Sequence, residues 1–401
     1  MINPKVSVIG LGYIGLPTAS LIASRGVFVN GYDINKKVIR NILNLSFDEN
    51  EPDLSGLISK VFKTNKLRVF PELQEADYYV ITVPTPLKVK NKKNYPDIKH
   101  VLQAVEEIIK FIKPNDTIIL ESTCPPGTTE KIYKEIRKKV SFYKSIYLAY
   151  CPERVLPGNL LYELENNDRV VGGINKKSSK KAIAFYKIFC KGQIYETYSL
   201  TAELVKLAEN TYRDVNIAFA NVLSLIAEKS NVDVNEIIKL SNLHPRVNIL
   251  KPGIGVGGHC IPVDPWFLIN KYPIETKLLF EARNANNYKT DNVLNSIHKQ
   301  IKSYITKYNK MPKIICLGLA YKVDSNDLRE SPALKIYESL TKKYKKVSGF
   351  EPNVDDNKFS KTQIYEKIKK FDIIIKLVNH KPFHFIDQML IKPPKILIDF
   401  S

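Results

Sequence analysis

One short block restricts the fold of this chain more than any other. It is the run Val6-Ser7-Val8-Ile9, followed by Gly10-Leu11-Gly12-Tyr13-Ile14-Gly15 and then by an apolar pattern through Ala19, Leu21, Ile22 and Ala23. The first four residues read as a buried strand and the last set as a helix face. A GxGxxG run alone is a weak signal. Between a strand and a helix it is far stronger, because the glycines permit the turn and bring a pyrophosphate to the helix N-terminus. A second strand, expected over 27–32, ends at Asp33. That is about twenty residues past the glycines, where an acid binds ribose hydroxyls. The block therefore predicts a dinucleotide site built from Gly10, Gly12, Tyr13, Ile14, Gly15 and Asp33. A carboxylate at Asp33 repels a 2′-phosphate, so the expected cofactor is NAD rather than NADP. Lys36 and Lys37 fall in the helix after it and do not reverse that preference.

The alternation of strands and helices continues. Strands are expected over 78–83, 117–120, 147–150, 168–173 and 193–198. The helix after the first of these carries Ile98, Val101, Leu102, Val105, Ile108, Ile109 and Ile112 on a 3.6-residue period. Such alternation implies a parallel, doubly wound sheet, with ligands at the carboxyl ends of its strands. Thr85 and Thr123 stand at those ends and are the candidates for contacts beside the nicotinamide. A long helix is expected from about 200 to 230 and another over 276–307. Strands over 313–317, 347–350, 371–377 and 396–399 then form a smaller sheet, and Ser331-Pro332 opens a helix as N-cap and first residue. The predicted fold class is α/β, with two Rossmann-like doubly wound parallel-sheet domains joined by a helical central domain. The expected boundaries are 1–199, 200–308 and 309–401.

Charge and composition exclude several classes. The chain has 61 basic and 41 acidic residues, a net charge of +20. Its lysines are dispersed and no nucleic-acid motif accompanies them, so no nucleic-acid partner is expected. The positive field still favours phosphate-bearing ligands. No apolar run reaches about 18 residues, so no membrane helix is expected. The first residues lead directly into a strand, which leaves no room for a signal peptide. Five scattered cysteines without a CxxC pair suit a reducing, cytoplasmic setting. His244, His259, Cys260 and Asp264 follow no zinc spacing, so no metal is expected.

A second glycine-rich stretch, Lys251-Pro252-Gly253-Ile254-Gly255-Val256-Gly257-Gly258-His259-Cys260-Ile261-Pro262-Val263-Asp264, holds neither a helix nor an inner strand. One thiol and one carboxylate follow the glycines directly. Locally this has two readings: a turn with a structural cysteine, or a covalent nucleophile with a carboxylate beside it.

The longer run from Arg213-Asp214-Val215-Asn216-Ile217-Ala218, through His244-Pro245-Arg246-Val247-Asn248-Ile249, to Asp264-Pro265-Trp266-Phe267 resembles the UDP-glucose/GDP-mannose 6-dehydrogenase family. Within it, the run is most similar to the branch acting on UDP-N-acetyl-D-mannosamine. The resemblance spans nearly the whole chain. It implies oxidation of a sugar C6 alcohol to the acid with two NAD consumed, as in the making of uronic-acid units for polysaccharides. It implies Cys260 as the nucleophile that forms a thiohemiacetal and then a thioester. Lys206 and Asn210, at helical i, i+4 spacing, would be catalytic and contact substrate, and Asp264 and Glu153 would assist hydrolysis. Arg154, Val155, Arg213, His244, Gly257, Tyr321, Lys322 and Arg329 would bind the nucleotide sugar. Arg246 would reach the neighbouring site of a homodimer or homotetramer. The catalytic residues are common to members acting on UDP-glucose, UDP-N-acetylglucosamine or -galactosamine and GDP-mannose, so those sugars stay open. A single-hydride dehydrogenase and a non-catalytic NAD-responsive binding protein are the remaining alternatives.

Overall fold

A computed structural model describes residues 4–45, 53–90, 93–155, 158–354, 361–388 and 395–401. The chain divides into two compact units, one of residues 1–209 with 266–271, the other of 210–265 with 272–401. The division falls inside one helix, Ser199–Ser230, between Glu209 and Asn210.

The first unit is built on a sheet of eight strands. They are β1 (Lys5–Ile9), β2 (Phe28–Tyr32), β3 (Leu67–Phe70), β4 (Tyr78–Ile81), β7 (Thr117–Leu120), β8 (Tyr147–Tyr150), β9 (Arg169–Gly173) and β10 (Ile194–Tyr198), with β5 (Leu87–Lys90) and β6 (Lys93–Pro96) forming a separate antiparallel hairpin. The order is β10-β9-β8-β7-β4-β1-β2-β3. It reverses direction between β1 and β4, the switch point where doubly wound sheets bind ligands. Six strands are parallel, as expected. The last two are parallel to each other, but β9 meets β8 antiparallel, with Ala149 opposite Gly173. Alternate residues of each inner strand enter two separate cores. Val80, Ile119 and Ala149 face one helical layer, and Tyr79, Ile81, Ile118, Leu120 and Leu148 face the other. Both faces are covered, which is why these strands read as continuous apolar runs.

The second unit contains a parallel sheet of β11 (Ile314–Leu317), β12 (Val347–Phe350), β13 (Ile373–Lys376) and β14 (Ile396–Asp399), ordered β12-β11-β13-β14. The helix Lys277–Tyr308 packs Val293, Ile297, Ile301 and Tyr304 into the core on one face of this sheet. The helix Pro332–Lys343 starts as expected, with the Ser331 hydroxyl accepting from Leu334 N–H and proline in the first turn. In the central helices, a buried ion pair between Arg283 Nη1 and Asp214 Oδ1 at 2.5 Å, joined by Asn286, ties 277–308 to the 210–230 segment. Among the described residues no helix is long and apolar enough to cross a membrane.

Candidate active site

In the first unit each glycine of the turn has its own reason. Gly10 sits at φ +93°, a left-handed conformation, and its N–H donates to Tyr32 O at 2.8 Å. A Cβ on Gly15 would stand 1.8 Å from Gly10 O and 2.5 Å from Thr82 Oγ1, so helix and strand meet only without a side chain. A Cβ on Gly12 would meet nothing within 4 Å. These are the tight-turn, close-packing and open-approach roles of a dinucleotide turn. The helix Gly15–Ser24 begins at Ile14 with no side-chain cap, so no side chain competes with an anion at its N-terminus. Tyr13 is exposed beside the turn. Asp33 follows β2 and accepts from Leu11 N–H and Asn35 N–H, both at 2.8 Å. Thr85 and Thr123 are brought together at the ends of β4 and β7, the Thr85 hydroxyl donating to Thr123 O at 2.6 Å. This arrangement fits a dinucleotide.

The loop after β8 carries Glu153, Arg154 and Val155. Glu153 Oε1 accepts from Arg154 N–H at 2.7 Å, and Glu153 O accepts from Lys206 Nζ at 2.7 Å. Lys206 is almost wholly buried. Arg154 pairs with Glu209 at 2.7 Å and donates to Asp168 O at 3.0 Å, while Val155 packs on the core.

In the second unit Asn210 Nδ2 donates to Asp264 Oδ2 at 2.6 Å. Asp264 is buried, and its N–H donates to Cys260 O at 2.8 Å, so thiol and carboxylate stand one turn apart. Cys260 is half-buried and is not in a disulfide. The glycine loop before it does something the sequence did not suggest. A Cβ on Gly257 would lie 2.7 Å from the Tyr321 side chain and 2.8 Å from Pro332, and one on Gly258 would lie 3.0 Å from the Tyr321 ring. These glycines let the loop dock on the segment after β11. Gly258 N–H donates to Arg329 O at 2.9 Å. Arg329 clasps Asp327 through Nε and Nη2, and Nη2 lies 3.1 Å from His259 Nδ1. Burial raises the Asp327 carboxyl, but its bonds from Arg329 outweigh that and leave it below its ordinary value. Burial, then Asp327 and Cys260, pushes the Tyr321 phenol up, so it stays protonated as a donor. Cys260, Tyr321 and Arg329 thus belong to one cluster, with Lys322 exposed beside it. Arg213, His244 and Arg246 are also exposed, and His244 Nδ1 accepts from Arg246 N–H at 3.3 Å. No group of three or more metal-binding side chains occurs among the described residues.

Residues 4–190, 200–288 and 315–401 match the NAD binding, central and UDP binding domains of the UDP-glucose/GDP-mannose dehydrogenase family. A protein of Methanococcus maripaludis named UDP-N-acetyl-D-mannosamine dehydrogenase is 45% identical over 94% of this chain and 87% of its own. One of the same name from Escherichia coli K12 is 41% identical over 95% of both. This chain belongs to the UDP-glucose/GDP-mannose dehydrogenase family. The solved UDP-N-acetyl-mannosamine dehydrogenase of Staphylococcus aureus superposes with a TM-score of 0.86 at 37% identity, covering 99% of this chain and 98% of that one. NAD is the cofactor of this family's first domain, which this chain matches over residues 4–190, and the Gly10–Gly15 turn with Asp33 fits such a dinucleotide.

Some site-side residues escaped the sequence. Glu203 is fully buried and accepts from Gly127 N–H, Thr129 N–H and the Thr129 hydroxyl, capping the helix Thr128–Lys139. Glu121, Arg169 and Tyr186 form a buried polar cluster behind Glu153. One signal was available, since a Glu closing an apolar strand and an Arg opening another are out of place in a core.

Proposed function

We propose that this chain is an NAD-dependent dehydrogenase that oxidises C6 of UDP-N-acetyl-D-mannosamine to the carboxylate, supplying an aminouronic sugar nucleotide for polysaccharide assembly. The observation that carries the chemistry is the pairing of half-buried Cys260 with buried Asp264 one turn on, Asp264 in turn fixing the Asn210 amide. The relatives' names support the choice of sugar. The working division is 1–199 for NAD, 200–308 for catalysis and assembly, and 309–401 for the nucleotide.

Bound NAD supplies the hydride acceptor for both oxidations. Lys206 takes the proton of the C6 hydroxyl, and the Asn210 amide donates to the developing oxyanion. The Cys260 thiolate adds to the aldehyde carbon and holds it as a thiohemiacetal, so the aldehyde does not leave between the two oxidations. After the second oxidation the acyl group is a thioester on Cys260. Water adds to its carbon, the C–S bond breaks, Cys260 leaves as thiolate, and Glu153 takes the proton with Asp264 assisting. Arg154, Val155, Arg213, His244, Gly257, Tyr321, Lys322 and Arg329 are assigned to the nucleotide sugar, and the cation–phosphate match supports the basic members of that set.

Assembly is part of the proposal. Tyr212, Phe219, Val222 and Ile226 are exposed on one helix at spacings of seven, three and four. That is the stripe of a helix seeking a partner, and it supports a homodimer or homotetramer. Arg246 would then serve the neighbour's site. The five cysteines, none in a disulfide, suit the cytoplasm.

The test is a panel of UDP-N-acetylmannosamine, UDP-glucose, UDP-N-acetylglucosamine and GDP-mannose, scored for NADH per acid formed. The first should give the highest kcat/KM and two NADH per sugar. Cys260→Ala should keep NAD binding, lose acid formation by several orders of magnitude, and release no more than one NADH per bound sugar. Two NADH per sugar at the wild-type rate from Cys260→Ala would defeat the mechanism, and a preference for UDP-glucose would defeat the sugar. Mixed Arg246→Ala and Cys260→Ala chains should recover activity if Arg246 crosses subunits.

A further inference from the structure

Behind Glu153 lies a buried network that this chemistry does not use. Arg169 opens β9 and is 3% exposed. Its Nη1 meets Glu153 Oε2 at 3.3 Å, and its Nη2 donates to Leu164 O at 3.0 Å. The guanidinium lies over the Tyr186 ring, 4.8 Å from the centroid. Tyr186 donates its phenolic proton to Glu121 Oε1 at 2.6 Å. Glu121 follows β7 and is also 3% exposed. Glu121 Oε2 and Arg169 Nε have no hydrogen-bond partner among the described residues. Every member belongs to the first unit.

Incompletely satisfied buried charge is costly, and well-packed apolar side chains commonly match or exceed the stability of a buried ion pair. Stability is therefore a weak reason for this cluster. Its geometry supplies a better one. A single guanidinium stands between two carboxyl groups, directly on Glu153 and through the Tyr186 ring and hydroxyl to Glu121. The same Glu153 accepts Lys206 on its backbone oxygen.

We propose that Arg169 is a positioning residue that orients the Glu153 carboxylate, and that Glu121 is the second carboxyl sharing its charge. The inference rests on the role of Glu153 in thioester hydrolysis given above.

The groups facing Glu121 are Arg169, Glu153, Tyr186 and Cys151. Burial pushes the Cys151 thiol up to about 12 and the Tyr186 phenol well above its ordinary value, so both are neutral near pH 7. Burial also raises Glu121, to about 7, against the opposing pull of Arg169. Below that pH Glu121 is mostly protonated, and Glu153 is the carboxyl in direct contact with Arg169. When Glu153 takes the proton of the hydrolytic water, Arg169 loses its counter-charge. Release of the Glu121 proton to solvent restores one carboxylate, so the proton count balances and the buried guanidinium stays compensated through the step.

The experiment is single-turnover oxidation of the UDP-sugar with NADH and intact-protein mass followed together, from pH 5.5 to 8.5, for wild type, Arg169→Met, Arg169→Lys, Glu121→Gln and Glu153→Gln. Arg169→Met should form NADH at nearly the wild-type rate but accumulate acyl-enzyme, its hydrolysis slowed ~10²-fold, the scale of a lost general base. Arg169→Lys should recover part of that loss. Glu121→Gln, nearly isosteric, should remove an inflection near pH 7 from the hydrolysis rate. Equal slowing of both phases in Arg169→Met, with no acyl-enzyme, would make Arg169 a packing residue and overturn the inference. So would an unchanged inflection in Glu121→Gln, the deciding arm if Arg169→Met does not fold. If Glu153→Gln hydrolyses its acyl-enzyme at the wild-type rate, the assignment of Glu153 fails instead, and this inference with it.

Discussion

The two parallel sheets begin with the same device and finish it differently. In the first, β1 ends in Gly10-Leu11-Gly12. Gly10, at positive φ, donates to Tyr32 O, and Leu11 N–H donates to Asp33, the acid just past β2. In the second, β11 ends in Gly318-Leu319-Ala320. Gly318, also at positive φ, donates to Phe350 O at 3.0 Å, and Leu319 N–H donates to Glu351, the acid just past β12, at 2.6 Å. The divergence lies at the next two positions. Gly12 is open and Asp33 half-exposed, whereas Ala320 is fully buried and Glu351 is 6% exposed. Ala320 N–H also donates to Glu351 Oε2, and His380, wholly buried, lies 3.0 Å from that oxygen through Nε2. His380 Nδ1 faces two donors, Asp324 N–H and Asn353 Nδ2, so it accepts and the ring proton sits on Nε2, toward Glu351. One acid is left facing outward, where a ribose can reach it. The other is closed off and holds up the loop of Tyr321 and Lys322. The two sheets share the motif and differ in the exposure of its acid.

The sharpest way to break the comparison is at the glycine without a counterpart. Gly15→Val should abolish NAD binding and destabilise the first unit, because its first side-chain carbon would lie 1.8 Å from Gly10 O. Overpacking costs typically about 1–3 kcal/mol, and a backbone clash this close exceeds what neighbours absorb. Fluorescence titration of NADH measures the loss, and retained affinity would mean that the turn shifts freely.

Next in size is the exchange of the two acids for alanine. Glu351→Ala leaves two backbone donors and a histidine buried without their acceptor, at about 1–3 kcal/mol each. Its melting temperature should fall by several degrees while NAD affinity is unchanged. Asp33→Ala should do the reverse, holding the melting temperature while NAD weakens about tenfold, near 1.4 kcal/mol, and while discrimination against NADP relaxes. Similar effects from the two substitutions would dissolve the contrast.

The smallest effect is in acid. Burial raises the Glu351 carboxyl, but the hydrogen bonds from His380, Ala320 and Leu319 outweigh it and leave it below its ordinary value of 4.5. A group depressed in the folded state contributes stability that is fully present above about 4.5 and is lost as pH falls through the folded value. Glu351→Gln should flatten that part of the stability curve below pH 4.5. A thermal-denaturation series across pH measures it, and an unchanged slope would show that Glu351 is not the group titrating.

Much of this was legible because the relevant signals are local. Strand-turn-helix glycines, Asp33 and the Ser331-Pro332 cap each act through neighbours in the chain, so their spacing carries their meaning. The expected strands over 78–83 and 371–377 were found shortened, as Tyr78–Ile81 and Ile373–Lys376. β3 and the hairpin β5–β6 were not anticipated, since Leu67–Phe70 is half-buried and the hairpin is Lys-rich and exposed, without a clean apolar period. The three-domain expectation sits beside a division into two units, because the helix 199–230 carries continuous periodicity through the point where contacts change sides.

By itself, then, the sequence determined the α/β class, the strand-turn-helix glycines of the first domain, the family and the identity of the thiol and carboxylate near one another at 260 and 264. These rest on short-range order and on residue types that few alternatives tolerate. Only the tertiary structure decided the direction of β9, the docking of Gly257 and Gly258 on Tyr321, the joining of Asn210 to Asp264, and which of two similar strand-end acids stays open. It alone assembled Glu121, Glu153, Arg169 and Tyr186. Those outcomes depend on burial and on contacts between residues far apart in the chain, and neither is written in the spacing of any one segment.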